Sequence, residues 1–383
     1  MSTASAPTGG FCDERFAAVG DAFRANFDDP GEISDLGASV AVSVDGEVVV
    51  DLWGGYADTE RTIPWREDTL TNVWSSTKTM AAICLLVLAD RGQIDLDAPV
   101  ATYWPEFAGQ GKQGVLVRHV LGHTAGLPGW ELPLSRDDVF DNDLMTTRLA
   151  EQAPWWEPGT ASGYHALSQG FLLGEIVRRV TGRTLGRFFA EEIAGPVGAD
   201  FHIGLPAEHD PRVSPVVPPP DRLGAQSEPG SIADRATRYP PLTADIAWDE
   251  RWRRGEFPAA NGHGNARSIA DIHSIIACGG SARGIELLSP AGCEQIFTTT
   301  ARGTDLVLGG PLWMGTGFGI VGPEIPLASG DHICFWGGWG GSLCVIDLDR
   351  HLSVSYVMNR MFGGTVGDLR AAMLVLAAFA AVS

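Results

Sequence analysis

The sequence predicts an α/β (α+β) fold: an antiparallel sheet flanked by helices, set beside a second lobe that is mainly helical. Three observations lead there. Ser39 to Trp53 alternates around Asp45-Gly46, a pair whose tolerance of positive φ suits a tight hairpin turn between two antiparallel strands. The chain closes on a similar pattern: Ser342 to Asp347 and Leu352 to Met358 flank Asp349-Arg350, and the apolar stretch Ala371 to Val382 reads as a packed helix. The middle has a different texture, with helical periodicity from Ala166 to Val180 ending at Thr181-Gly182, then a segment crowded with proline.

If the two ends share one sheet, their helices cover it and everything between can form the second lobe. The expected division is a discontinuous sheet lobe, residues 1–100 with 305–383, and a mainly helical lobe, residues 101–304. Residues 205–258 include Pro218-Pro219-Pro220 and Pro240-Pro241. So long a proline-rich stretch inside a compact protein is not a linker, and it is expected to wrap as a loop or lid with little regular structure.

Composition removes several classes of function. The 383 residues are 44% hydrophobic and 19% charged, which suits a folded globular chain rather than a disordered or fibrous one. A net charge of -20 argues against nucleic acid, because a phosphate-binding face needs clustered cations. Arg251, Arg253 and Arg254 around Trp252 form the nearest basic run, and acidic neighbours dilute it. Met1 to Gly10 has neither the basic region nor the apolar core of a secretory signal, so the expected location is the cytoplasm. The Ala371 to Val382 stretch falls short of the roughly 20 residues that span a bilayer, so no membrane association is expected. The six cysteines include no C-x-x-C pair and read as small buried hydrophobes, not disulfides or thiolate metal ligands.

His119 and His123 have a spacing that can chelate zinc from a helix, but Gly122 interrupts it and no H-E-x-x-H glutamate lies between them, so a structural role is expected. No G-x-S-x-G elbow surrounds a plausible serine. The glycine-rich run from Gly337 to Gly341 leads into a strand where a dinucleotide-binding turn would open a helix. Neither a metal nor an organic cofactor is expected.

Chemistry enters through the lysines. Of 27 basic residues only Lys78 and Lys112 are lysine, the rest being arginine. An ammonium gives up its proton when desolvated, whereas a guanidinium effectively does not, so a lysine kept at 78 suggests a base or proton relay. Lys78 lies in Trp74-Ser75-Ser76-Thr77-Lys78, which runs into an apolar segment ending at Arg91-Gly92, as a buried central helix would. Ser75 then falls at the helix N-terminus, where free N–H groups favour developing negative charge, and Lys78 shares its face one turn on. A neutral amine there can take the hydroxyl proton. The alternative is that Ser75 caps the helix and Lys78 is a solvated first-turn residue; S-x-x-K alone does not decide between them.

Two further segments supply what such a pair needs. Glu157 to Ala166 is a turn-rich loop running into a helix and carries Tyr164, one of only five tyrosines. Phe335 to Ser342 places Gly337 and Gly338 beside a predicted strand, where a missing Cβ lets backbone approach a ligand. A packed loop tyrosine and a β-bulge are the alternative readings.

Taken in order, these segments resemble one superfamily of serine hydrolases: the class C β-lactamases, the penicillin-binding DD-peptidases and, most closely, the family VIII carboxylesterases. The resemblance rests on Asp51-Leu52-Trp53-Gly54-Gly55, Ser75 to Lys78, His119 to Leu127, Pro158-Gly159-Thr160 with Tyr164, Asn261-Gly262-His263-Gly264 and Trp336-Gly337-Gly338, and so covers nearly the whole chain. It implies a β-lactamase-like fold with the active site between the lobes. It implies Ser75 as nucleophile, Lys78 and Tyr164 as its base system, and Tyr164 as the acid that protonates the leaving group. Trp336-Gly337-Gly338 stands where the lactamases carry Lys-Thr-Gly, and the implied oxyanion hole is the backbone N–H groups of Ser75 and Trp339.

Two departures bear on the substrate. Where the lactamases have Tyr-x-Asn, this chain has Ala166 in the third position, and Trp336 replaces the lysine that attracts the β-lactam carboxylate. Losing both polar grips costs an anionic amide on the order of a few kcal/mol of recognition. A neutral small-molecule ester suffers less, with Trp130, Trp155, Trp156 and Trp339 as candidate aromatic walls. The expected activity is carboxylesterase. Amide or β-lactam hydrolysis, acyl transfer through the same acyl-enzyme, and a non-catalytic binding relative are the alternatives, and homo-oligomer formation stays open.

Overall fold

The computed structural model describes residues 6–28, 33–219 and 227–383. The strands in chain order are β1 (Thr8–Cys12), β2 (Gly37–Val44), β3 (Glu47–Gly55), β4 (Thr71–Asn72), β5 (His263–Gly264), β6 (Ser281–Ala282), β7 (Ile285–Glu286), β8 (Ala301–Thr304), β9 (Pro311–Met314), β10 (Gly319–Ile320), β11 (Ile333–Gly337), β12 (Leu343–Asp347) and β13 (Leu352–Met358). Nine of them form one sheet in the order β1-β3-β2-β13-β12-β11-β10-β9-β8, antiparallel throughout.

Both ends of the chain therefore meet in one sheet, joined where β2 pairs β13. The first hairpin turns at Asp45 (φ 51°) and Gly46 (φ 83°), two positive-φ residues whose twist matches that of the flanking strands. Residues 38–43 of β2 and all of β13 are buried on both alternating faces, as central strands covered on both sides must be. The Ala266–Ala277 helix packs on β2 and β13, while Ala17–Asp28 pairs with the C-terminal Leu369–Val382 helix. That last helix begins two residues earlier than its apolar run because Asp368 caps it, accepting from the Arg370 amide.

Helices dominate the region after β4. The Thr77–Asp90 helix is buried from Thr77 to Leu88, and Ser168–Thr181, closed by left-handed Gly182 (φ 70°), packs against it. Among the described residues no helix is long and apolar enough to cross a membrane, and all six cysteines are free.

The proline-rich segment is more ordered than expected. It holds helices at Ile232–Arg238 and Glu250–Arg254 and 3-10 turns at Ala207–Arg212 and Ala244–Trp248. Ser231 and Asp249 each accept an amide hydrogen bond from the first turn of the helix that follows. Apart from Pro211, which lies inside the Ala207–Arg212 3-10 turn, the described prolines fall outside these helices and turns and leave room for capped helices to start. Pro220, the last of its triplet, lies outside the described residues.

Lys112, the other lysine, is also fully buried. Its ammonium donates to the carbonyls of Gly109 (2.9 Å), Ala150 (2.9 Å) and Gln152, tying the turn at 109–112 to the end of the Asn142–Glu151 helix. Lys112→Ala leaves three carbonyls without this donor and is expected to cost about 2–4 kcal/mol of stability. Denaturant melts are the measurement that shows that loss.

Candidate active site

Ser75 sits in a tight turn ahead of the Thr77–Asp90 helix, where the amides of Thr77 and Lys78 donate back to the carbonyls of Trp74 and Ser75 (3.0 Å each). The preceding Trp74 has φ 51°, a left-handed conformation that a bulky residue holds only when its surroundings impose it. A backbone bridge to Asn261 and an edge-on contact with Trp339, ring centroids 5.1 Å apart, do so here.

Three polar groups converge. Lys78, 1% exposed, places Nζ 3.2 Å from Ser75 Oγ, 2.7 Å from Ala166 O and 2.8 Å from Ala259 O. Burial alone pushes its pKa well below the ordinary amine value. A neutral amine fits these distances: two N–H bonds serve the carbonyls and the lone pair is left for the Ser75 hydroxyl. On the other side Tyr164 donates from its hydroxyl to Ser75 Oγ at 2.6 Å. Burial raises the phenol pKa, which keeps that proton in place at neutral pH.

The turn between β11 and β12 closes in from the sheet. A Cβ on Gly338 would lie 2.2 Å from Val73 O and 3.3 Å from Ser75 N, so only glycine lets this turn approach the serine. Ser342 Oγ lies 2.9 Å from both Val73 O and Ser76 Oγ, locking turn to turn. The Gly338 and Gly340 amides donate to Ser342 O and Gly364 O at 2.8 Å each, whereas those of Ser75 and Trp339 have no protein acceptor among the described residues. Backbone N–H groups without a protein acceptor are available to bind an oxyanion.

Above Ser75 opens a cleft lined by Trp74, Trp130, Ala166, Leu167, Ala236, Thr237, Tyr239, Pro240, Leu242, Trp252, Ala260 and Trp339. None of these side chains is charged. Trp130 and Trp339 line this cleft, whereas Trp155 and Trp156 do not. Trp155 lies under the Arg235 guanidinium, and Trp156 donates to Ala161 O (2.9 Å) and meets His165 edge-on.

Trp336 is likewise not a wall. It is 1% exposed, one layer deeper, 5.7 Å from the rings of both Tyr164 and His123. Its indole packs against the Tyr164 ring, while Gly338, past the strand end, approaches Ser75 and Trp339 packs on Trp74. His119 and His123 do not share a ligand: His119 accepts from the Leu116 amide, and His123 accepts from the His165 amide and packs on Tyr164.

Sequence reasoning missed Trp74, Trp252 and the Ala259 carbonyl. Trp252 is held by its indole N–H to Asn72 Oδ1 (2.9 Å), and Asn72 in turn donates to Ala260 O (3.0 Å), which fixes the segment that offers Ala259 O to Lys78. Its place in the Arg251 to Arg254 run drew attention to the charges and not to the ring.

A nine-stranded antiparallel sheet joined to a helical lobe, with serine, lysine and tyrosine converging below the cleft, defines the β-lactamase-like class. The family profile described as "Beta-lactamase" matches residues 23–378. Esterase/beta-lactamase LipL of Mycobacterium tuberculosis is 35% identical over 376 residues, covering 93% of this chain and 84% of LipL. A crystal structure of a family VIII carboxylesterase superposes with a TM-score of 0.90 at 42% identity, covering 98% of this chain and 100% of that one. A penicillin-binding protein homologue from Caulobacter crescentus does so with a TM-score of 0.90 at 38% identity and the same coverage. The chain belongs to the β-lactamase family.

Proposed function

We propose that the protein is a carboxylesterase that works through an acyl-enzyme on Ser75. One observation carries the reading: Ser75 Oγ lies between the Lys78 amine and the Tyr164 phenol on the floor of a cleft lined by no charged side chain among the described residues. The esterase named LipL and the family VIII carboxylesterase, both above 30% identity, support it.

The Ser75 hydroxyl passes its proton to Lys78 Nζ as Oγ bonds to the ester carbonyl carbon. The N–H groups of Ser75 and Trp339 take the oxyanion, Tyr164 gives its proton to the departing alcohol oxygen as the C–O bond breaks, and the proton on Lys78 replaces it. Water then enters by the reverse sequence, releasing the acid and restoring Ser75. On this reading the S-x-x-K pair is the catalytic motif, residues 1–100 with 305–383 carry the sheet side of the site with Trp74 and Trp339, residues 101–304 carry Tyr164 and the remaining apolar walls, and the enzyme acts in the cytoplasm on a small neutral ester.

The uncharged lining sets the substrate order. An anionic β-lactam finds neither a cation at 336 nor an amide at 166 and gives up roughly 2–4 kcal/mol, or about 30- to 1,000-fold in kcat/KM. With purified protein, p-nitrophenyl esters of short acids are expected to exceed a chromogenic cephalosporin by at least about 30-fold in kcat/KM. Comparable efficiency on both would reverse the order and favour the lactamase activity that LipL also carries in its name.

A further inference from the structure

The Tyr164 loop is held from both sides. His123 O accepts the Gly163 amide (3.1 Å), and His123 Nδ1 accepts that of His165 (3.1 Å). The opposite side is held by Asp305, the first residue past β8 in the turn to β9 and 0% exposed. Its Oδ2 accepts the Ser162 hydroxyl at 2.5 Å and its Oδ1 the Tyr164 amide at 3.0 Å. The next residue of the hairpin, Leu306, donates its amide to Ser162 O at 2.8 Å.

Oδ1 also accepts the amides of Val307 and Leu308, each at 2.9 Å, and these two bonds close the hairpin turn whatever the rest of the protein does. A serine or asparagine can fill that local role. The bonds to residues 162 and 164 are different, because they span about 140 positions and join the sheet edge to the loop that carries the phenol. All four donors are uncharged, so a carboxylate has been desolvated with only dipoles to hold it, an arrangement costly unless every bond is well made.

We infer that Asp305 is a positioning residue for the reaction, fixing the backbone of Tyr164 so that the phenol meets the departing alcohol oxygen. The inference rests on the reading of Tyr164 as the acid that protonates the leaving group. A carboxylate facing the loop also opposes ionisation of the phenol, in line with that duty. The geometry is demanding: Tyr164 must stay within hydrogen-bond reach of Ser75 and still address an oxygen on the substrate, and an error of about 1 Å costs on the order of 100-fold.

A leaving-group comparison tests this, because p-nitrophenolate departs without a proton whereas an alkoxide does not. We would measure kcat/KM, which ends with loss of the alcohol, for p-nitrophenyl butyrate and ethyl butyrate with wild type, Tyr164→Phe, Asp305→Asn and Ser162→Ala. Tyr164→Phe and Asp305→Asn are both expected to lose at least about tenfold more on the ethyl ester than on the nitrophenyl ester, with Ser162→Ala showing the same bias more weakly. Equal losses on both esters for Asp305→Asn, beside a biased Tyr164→Phe, would make Asp305 a structural residue and overturn the inference while leaving the acid in place. No bias in Tyr164→Phe would remove the acid role and the inference with it. If Asp305→Asn does not fold, Ser162→Ala, which keeps the carboxylate, is judged by the same criterion.

Discussion

Ser75→Ala is expected to lower ester turnover by about 10⁴-fold or more while leaving the fold intact. The hydroxyl is small and, among the described residues, partnered only by Lys78 Nζ and Tyr164 Oη, both of which keep other contacts when it goes: Lys78 with two carbonyls, Tyr164 with its surrounding rings. No neighbour can stand in for it. Ser76, next in the chain, is completely buried and spends its hydroxyl on Ser342. Wild type quenched during turnover of a slowly released acyl ester is expected to show the acyl mass on the peptide containing Ser75, and the alanine variant none. Retention of wild-type turnover by Ser75→Ala would end the acyl-enzyme reading, whatever the fold resembles.

How far the sequence foretold this site depends on which forces place each part. The hairpins were legible because Asp45-Gly46 obeys a local rule, positive φ at two adjacent residues, that no distant contact had to supply. The Ser75 to Lys78 turn was legible for the same reason, the helix bringing both side chains to one face. Tyr164 could be singled out only through motif order, since its approach to Ser75 depends on the chain folding back across a separation of 89 positions. The cleft walls were half legible. Trp155 and Trp156 look no different in sequence from Trp130, yet the turn at Gly126, whose amide oxygen accepts from Trp155 N, directs them away from the cleft. The Ala259 carbonyl has no sequence signature at all, because any residue carries one. The proline-rich segment misled for a physical reason: proline stops a helix only where it falls inside one, and here the caps at Ser231 and Asp249 start new helices after it.

The scarcity of lysine also needs a sharper meaning. Lys112 is as buried as Lys78 and donates to three carbonyls, so in this chain lysine marks places where a compact tetrahedral nitrogen is wanted, and only one of the two adjoins a hydroxyl. Scarcity identified the pair; geometry separates the strut from the base.

That distinction yields the second large effect. Lys78→Arg is expected to lose about 10³-fold or more, nearly as much as Lys78→Ala, because charge without a removable proton cannot accept one from Ser75. The guanidinium is also too broad for a nitrogen held 2.7 Å and 2.8 Å from two carbonyls, so both variants must be compared at equal folded content, checked by circular dichroism and melting. The wild-type pH profile supplies independent evidence with a definite sign. With its folded pKa lowered by burial, Lys78 is neutral, and competent as base, at pH values where a free amine is protonated. Activity should therefore rise with pH through the lowered pKa and be lost as pH falls below it. Tyr164 must hold its proton to act as the acid, and burial moves its pKa up, so no alkaline limb should close the profile near neutrality. A kcat/KM profile with one acid limb, replaced in Lys78→Arg by a flat residual rate, is the expected pair of results. Near-normal turnover in the arginine variant would reduce Lys78 to an electrostatic or structural residue, and would hand the role of base to the tyrosine alone.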